Sequence, residues 1–342
     1  MMSAIKQRPV GGFSLVEVLV SIAIALLLLA GIIQLFVSNK QAYRLQEGIS
    51  ILNENARFSL SQLKYHLRMA DHWGGVDPNV IDTSTAPAIT DDCSAGYATD
   101  NIGLKGYEGD ATVPAELTAC IPAGDYVANS DIIVMRYGTA PVDGLITDDL
   151  DADEVYLRVA AGRRGQIFKG DNAGSLGTDL TDSDTSSLEP FNIQNYPFDF
   201  VAYFVRPCSS QNAGTAGVCD AADDDTPTLV RLRLQGTSLV QEDIAAGVEQ
   251  MQIVYGVDTN DNLNADTYKT ATEIEAANEW PNVVSARFDL LVRSQETDIS
   301  YDATGDTIDM VGGDSHTVPA GAGQHQRKLF NSVIQIRNQT RS

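Results

Sequence analysis

Gly11-Gly12-Phe13-Ser14-Leu15-Val16-Glu17 leads directly into Val18–Val37, where only Ser21 and Gln34 interrupt an apolar run. About 20 such residues rising 1.5 Å each match the roughly 30 Å hydrocarbon core of a bilayer. A secretory signal loses its apolar core because cleavage follows it. Here the plausible processing junction, Gly12/Phe13, comes before the core, so the apolar segment stays on the mature chain. Lys6 and Arg8 precede it with no acid nearby, which puts residues 1–12 in the cytoplasm and the chain beyond about Asn39 outside it. Glu17 is then an isolated carboxylate at the lip of the hydrocarbon, a costly position unless the group is paired, neutralised or snorkels to the interface.

The helical pattern continues past the membrane segment. Between Asn39 and Asp71 there is no proline, and Leu45, Ile49, Leu52, Ala56, Leu60, Leu63 and Leu67 recur every three or four residues with polar residues between them. Gly74-Gly75 and Pro78 supply the stop. The spacing predicts one helix from Phe13 to about Ala70, roughly 85 Å long at 1.5 Å per residue. Gly31 and Gly48 are its weak points, each costing about 1 kcal/mol relative to alanine. An ordinary core helix joined to a single-pass anchor would show the same periodicity, so the hexapeptide Gly12–Glu17 has to separate the two.

That hexapeptide ahead of an apolar helix resembles the class III signal of type IV pilins and type II secretion pseudopilins. The resemblance implies cleavage after Gly12 by a prepilin peptidase, methylation of Phe13, and pairing of Glu17 with the terminal amine of a neighbouring subunit during assembly. It also implies the organisation of the chain: a cleaved leader at 1–12, a transmembrane and filament-core helix at 13–38, an amphipathic helix at 39–72 and a periplasmic β-rich domain with long acidic loops at 73–342. Loss of Lys6 and Arg8 with the leader makes the mature chain two charges more negative. Many major pilins carry a proline partway along the apolar helix; this chain has none between Pro9 and Pro78.

Beyond residue 75, short β-type runs alternate with Gly-, Asp-, Ser- and Thr-rich stretches: 132–137, 155–159, 165–169, 198–206, 229–235, 248–257, 283–292 and 330–337. Leu229-Val230-Arg231-Leu232-Arg233-Leu234 exchanges apolar and polar residues as a half-buried antiparallel strand requires. All helix signal lies in front and all strand signal behind, which predicts an α+β unit in which one antiparallel sheet packs on the amphipathic face of a long N-terminal helix. Ala246-Gly247-Val248-Glu249-Gln250-Met251-Gln252-Ile253-Val254-Tyr255-Gly256-Val257-Asp258 is similar to a strand of PilW-type minor pilins, and 282–294 and 330–338 are similar to the strands that follow it there. Residues 77–243 have no counterpart in that resemblance.

Together the two resemblances imply a pilin-like fold and a minor pilin that supports initiation of type IV pilus assembly, in the service of adhesion, twitching motility or DNA uptake. The implied partners are other minor and major pilins, the prepilin peptidase and the inner-membrane assembly platform. The implied path runs from a single-pass inner-membrane protein with a periplasmic C-terminal domain to the surface pilus. A GspJ-like minor pseudopilin of a type II secretion system and a pilus-tip adhesin built on residues 77–243 are the alternatives.

Composition bears on what else the chain does. The net charge is −23, with 46 Asp and Glu against 23 Lys and Arg, so no basic stripe offers itself to phosphates and nucleic acid is not an expected partner. Cys93, Cys120, Cys208 and Cys219 all follow the membrane segment and form no CxxC, which points to two disulfides in an oxidising compartment. Proximity suggests Cys93–Cys120 and Cys208–Cys219, and all three pairings stay open. The histidines, His66, His72, His316 and His325, form no catalytic motif, and no enzymatic role is expected. No cofactor is expected either, with one exception left open: Asp258, Asn260, Asn262, Asn264 and Asp266 place oxygens at alternate positions like the start of a Ca²⁺ loop, although Leu263 and Lys269 stand where its glycine and glutamate belong. Asp149, Asp151 and Asp153 form a second such set, and solvated turns are the favoured reading of both, since Asp and Asn form turns in their own right.

Overall fold

A computed structural model describes residues 12, 14–142, 150–160, 163–172, 176, 180, 193–212, 214–215 and 217–336. Lys6, Arg8, Phe13, Asp149, Arg337 and Asn338 lie outside the described residues. The chain divides into two compact units, residues 1–50 and 51–342.

Helix α1 runs unbroken over Leu15–Met69, within two residues of the predicted bounds at either end. It needs no kink because it holds no proline, and a Cβ at Gly31 would meet nothing within 4 Å. Over Val18–Val37 the helix is apolar on every side: the large hydrophobic residues from Leu15 to Val37 are 46–77% exposed. Ile49, expected on the packing face, is exposed as well.

In the second unit the remainder of α1 is a core helix. Leu52, Ala56, Leu63 and Leu67 are buried, and Leu60 packs against them half-buried. His66 enters the same core as a neutral imidazole: burial, then the charges of Arg231 and Arg233, lower its pKa to about 3. Its Nδ1 lies 2.6 Å from the Tyr137 hydroxyl and its Nε2 3.1 Å from Arg231. The helix stops where Asp71 turns to φ 63° and Gly74 to φ 64°, the left-handed region that ends helices. At Gly74 a side chain is excluded twice over, since a Cβ would sit 2.7 Å from the Tyr196 ring.

Fourteen strands follow among the described residues: β1 Ile81–Asp82, β2 Leu104–Tyr107, β3 Ile132–Gly138, β4 Val155–Ala160, β5 Arg164–Lys169, β6 Ile193–Arg206, β7 Thr228–Gln235, β8 Ser238–Ala246, β9 Val248–Val257, β10 Thr267–Lys269, β11 Val283–Thr297, β12 Thr307–Asp309, β13 Ser315–Thr317 and β14 His325–Gln335. They form an eight-stranded sheet from β1 to β8, a four-stranded sheet ordered β10-β9-β11-β14, and the ribbon β12-β13. Every pairing is antiparallel except β1 with β5. The expectation of one sheet is thus corrected to two. β6 is the hinge of the larger one: β3 takes one edge, while β4 pairs with Ile193–Pro197 and β7 with Val201–Arg206 on the other.

Alternation explains the doubling. In β3, Ile133, Met135 and Tyr137 face the core built on α1 and the four-stranded sheet, whereas Ile132 and Val134 face a second core with Trp73, Tyr97, Leu117, Ile121, Phe200 and Phe204. A strand buried on both faces has no polar phase. The second core is roofed by the chain between β1 and β3, and a small third cluster gathers Tyr156, Ala160, Phe168, Leu176 and Leu180, so residues 77–243, left without a counterpart by resemblance, build most of the larger sheet, most of the second core and all of the third. The roof hangs on buried Arg136, which donates to the carbonyls of Tyr97 and Ile102 and lies against the Tyr97 and Phe200 rings.

The two sheets meet along the edge of β9. Asp131 donates its N–H to the Met251 carbonyl and accepts the Ile253 N–H at 2.7 Å, and Gln252 reaches the Asn129 carbonyl at 2.6 Å. Burial, then the carboxylates of Glu108 and Asp314, push the Asp131 pKa well above its ordinary value. A second helix, α2 (Ala271–Ala277), was not expected from the sequence. Seven residues are too few for a periodic signal, but Thr270 and Glu273 form a capping box at its start.

Candidate assembly site

The site begins at the first described residues. Ser14 starts α1 by accepting the Glu17 N–H at its Oγ (3.3 Å) and its carbonyl (3.1 Å), and that carbonyl also accepts the Val18 N–H. Two orphan amides of the first turn are thereby satisfied. Gly12 is exposed, and a Cβ there would meet nothing within 4 Å. Glu17 lies in the first turn, where the helix dipole favours a negative charge. One turn further on, Ser21 Oγ donates to the Glu17 carbonyl at 2.7 Å, hiding its hydroxyl from lipid.

Charge and apolarity are combined here in an unusual way. The best membrane-length window of α1 has a mean hydropathy of 2.8, with none of it buried in the protein. Such a surface requires lipid or other apolar helices around it. On the described part of the helix the nearest basic residue to Glu17 is Lys40, roughly 35 Å along the axis at 1.5 Å per residue. The helix itself therefore holds no cation within reach of this carboxylate.

The second unit holds the other sequence-derived candidates. Cys93–Cys120 and Cys208–Cys219 are closed disulfides, 27 and 11 residues apart in sequence. The first pins the roof over the second core, where both of its cysteines are buried. In the Asp258–Asp266 loop the oxygens turn inward to the loop's own backbone. Buried Asp258 accepts the N–H groups of Asn260, Asn262 and Leu263, and Asp266 accepts from Thr259 and from the Asn260 amide. Asn264 donates its N–H to Asn262.

The sequence reading missed the role of Glu249. This buried carboxylate accepts two hydrogen bonds from Arg327, at 2.6 and 2.9 Å, and lies 3.8 Å from both Arg293 and His316. It fastens β9 to β14, β11 and the β12-β13 ribbon. Two residues earlier, Gly247 has φ 91°, and a Cβ there would stand 2.6 Å from the Arg293 carbonyl. At the other end of the strand Tyr255 places its hydroxyl against Gly106, where a Cβ would approach to 2.1 Å. A lone acid in an otherwise neutral β run was the available signal, because such a residue survives burial only with a partner.

A long helix that starts at Ser14, is apolar on all sides from Val18 to Val37 and holds Glu17 with no cation near it among the described residues, followed by antiparallel-rich sheets, is a pilin-like arrangement. Residues 7–33 match the prokaryotic N-terminal methylation motif, and residues 202–338 match the family model described as type IV pilus-assembly protein W. The chain thus carries an N-terminal methylation motif and, in its C-terminal part, a PilW-type domain, which together support a type IV pilus minor pilin. Among solved structures it is similar to a type IV-like pilin from Thermus thermophilus, at 9% identity over 85% of this chain and 98% of that one, with a TM-score of 0.34. No curated protein matches the chain.

Proposed function

We propose that the chain is processed after Gly12, methylated at Phe13, and drawn from the inner membrane into a type IV pilus by its N-terminal helix, where it helps to start assembly. The observation that carries this reading is Glu17: a lone carboxylate on an exposed apolar helix whose nearest described cation on that helix is Lys40. The amine of a neighbouring subunit's Phe13 supplies the missing charge, and the pair forms in a low dielectric where attraction is strong. Leu15, Val16 and the run to Val37 supply the apolar packing. The folded domain then stands in the periplasm and later on the filament, and the chain assembles rather than catalyses. The alternative of a detachable tip adhesin on residues 77–243 loses ground, since deleting them removes the larger sheet and two of the three hydrophobic cores found among the described residues.

Deleting the gene and counting surface filaments by electron microscopy, with and without retraction, tests the initiating role. Filaments lost in the first background and restored when retraction is blocked are the expected result. Unchanged piliation in both backgrounds would refute it.

A further inference from the structure

β14 ends the four-stranded sheet, and its outer edge has no strand beside it among the described residues. The backbone direction follows from its register with β11. Ile336 donates to the Val284 carbonyl, so in the pairs Ala286↔Ile334, Phe288↔Ser332 and Leu290↔Phe330 the hydrogen-bonding groups turn inward. Those of Leu329, Asn331, Val333 and Gln335 therefore turn outward. From Leu329 to Ile336 the sequence holds no charge, proline or glycine, and Val333 is 59% exposed.

Sheets defend their edges by shortness, charge, bulges or cover, and the other edges here show such devices. β1, β10, β12 and β13 have two or three residues each. β8 carries Glu242 and Asp243 and pairs through a bulge. β2 has four residues and α2 packed against it. The longest edge keeps its charges and its irregular pairing at one end, near His325–Lys328, and shows no such device over Leu329–Gln335.

We infer that the free edge of β14 docks an extended, acid-flanked segment of a different filament subunit, which adds a strand to the four-stranded sheet. Charge selects this occupant. Residues 325–342 hold no acid in a chain of net charge −23; Arg327 is spent on Glu249, which leaves Lys328 at one end of the strand and, in the sequence beyond the other end, Arg337 and Arg341. Two copies of β14 paired antiparallel about Ser332 would bring Lys328 of each to the Ile336 end of the other, where the sequence continues into Arg337. Like charges oppose that arrangement, whereas carboxylates at both ends of the incoming strand favour it. That the occupant is a filament subunit rests on the proposed function; the competence of the edge does not.

The test uses the full chain in detergent and hydrogen exchange read by mass spectrometry. The probe is a capped peptide of alternating valine and threonine bracketed by glutamate pairs, with a lysine-bracketed peptide as control. The glutamate peptide should slow exchange across 329–335 by about tenfold, the worth of one good net hydrogen bond, and the lysine peptide should not. Asn331→Pro removes an outward N–H that no partner uses, and Val333→Asp repels the probe; each should abolish the protection while leaving the thermal midpoint in place. Absence of protection, equal protection by both peptides, or protection that survives both variants would overturn the inference. None of these outcomes bears on Glu17, and a failure of Glu17-dependent incorporation would leave the peptide result standing.

Discussion

Asp71 should be a site where removing a charge strengthens the protein. It follows α1 in the left-handed conformation, accepts the Trp73 indole N–H at 2.6 Å, and lies so close to Gly103 that a Cβ on that glycine would meet its Oδ1 at 2.1 Å. Burial raises its pKa from 3.8 to about 6; the Trp73 hydrogen bond opposes the shift and the Asp77 carboxylate adds to it. A raised carboxyl pKa means that the folded state holds the proton more tightly. The favourable contribution is complete below about pH 4 and is lost as pH rises through 6. Near pH 8 the folded chain therefore carries an ionised Asp71 at a cost of about 3 kcal/mol, from 1.36 kcal/mol per pKa unit. Asp71→Asn removes the charge, keeps an oxygen for Trp73, and places a residue that tolerates positive φ at the helix end. Part of the gain is returned because an indole bonds a carboxylate more strongly than an amide, which leaves about 1–2 kcal/mol. Denaturant unfolding followed by tryptophan fluorescence, at pH 8 and pH 4.5, reads this directly because Trp73 is the neighbour. The variant should be more stable than wild type at pH 8 and nearly equal to it at pH 4.5. A variant that is weaker at pH 8, or a difference that does not change with pH, would refute the reasoning.

Other outcomes can be stated briefly. Replacing Cys93 and Cys120 together by serine should cost about 3.5 kcal/mol, the loop-entropy value for a separation of 27 residues, and should expose the roof to protease before the rest of the second unit. Arg327→Met strands the Glu249 carboxylate and should cost about 3–5 kcal/mol, while the double variant with Glu249→Met should recover most of that loss; equal losses in the two would disprove the coupling. Millimolar Ca²⁺ should leave the thermal midpoint unchanged, because Asp258 already spends its oxygens on three backbone N–H groups; a clear rise would establish the 258–266 loop as a cation site. Gly12 replaced by a bulky residue should leave the leader on the chain, seen as a slower-migrating product on gels.

How far the sequence carries depends on what kind of signal each element needs. The helix was legible to within two residues at each end because 55 residues of continuous pattern outvote local propensity, and its first turn was legible because an acid beside hydrocarbon demands an explanation. β7 announced itself by alternation. β8 did not: the run Gln241-Glu242-Asp243 breaks the alternation of Ser238–Ala246, and the segment becomes a strand because Gly236-Thr237 folds it back onto β7. β2 and α2 were too short to show a period. The second sheet was hidden for a different reason. Ile132–Gly138 is buried on both faces, so its sequence reads as a strand without telling how many layers cover it. Glu249 was quoted as part of a family pattern, yet its partner lies 78 residues away, a distance that local pattern cannot bridge.

The central claim is that this chain leaves the membrane as a filament subunit through its own N-terminus. Peptide mass spectrometry of sheared, purified filaments tests it most directly, comparing wild type with Glu17→Ala. In wild type, a mature subunit should be recovered beginning at Phe13 and carrying one methyl group. The Glu17→Ala chain should be processed to the same N-terminus and remain in the membrane fraction. Recovery of both chains in filaments at equal abundance, or of neither while the wild-type chain stays in the membrane, would contradict the account.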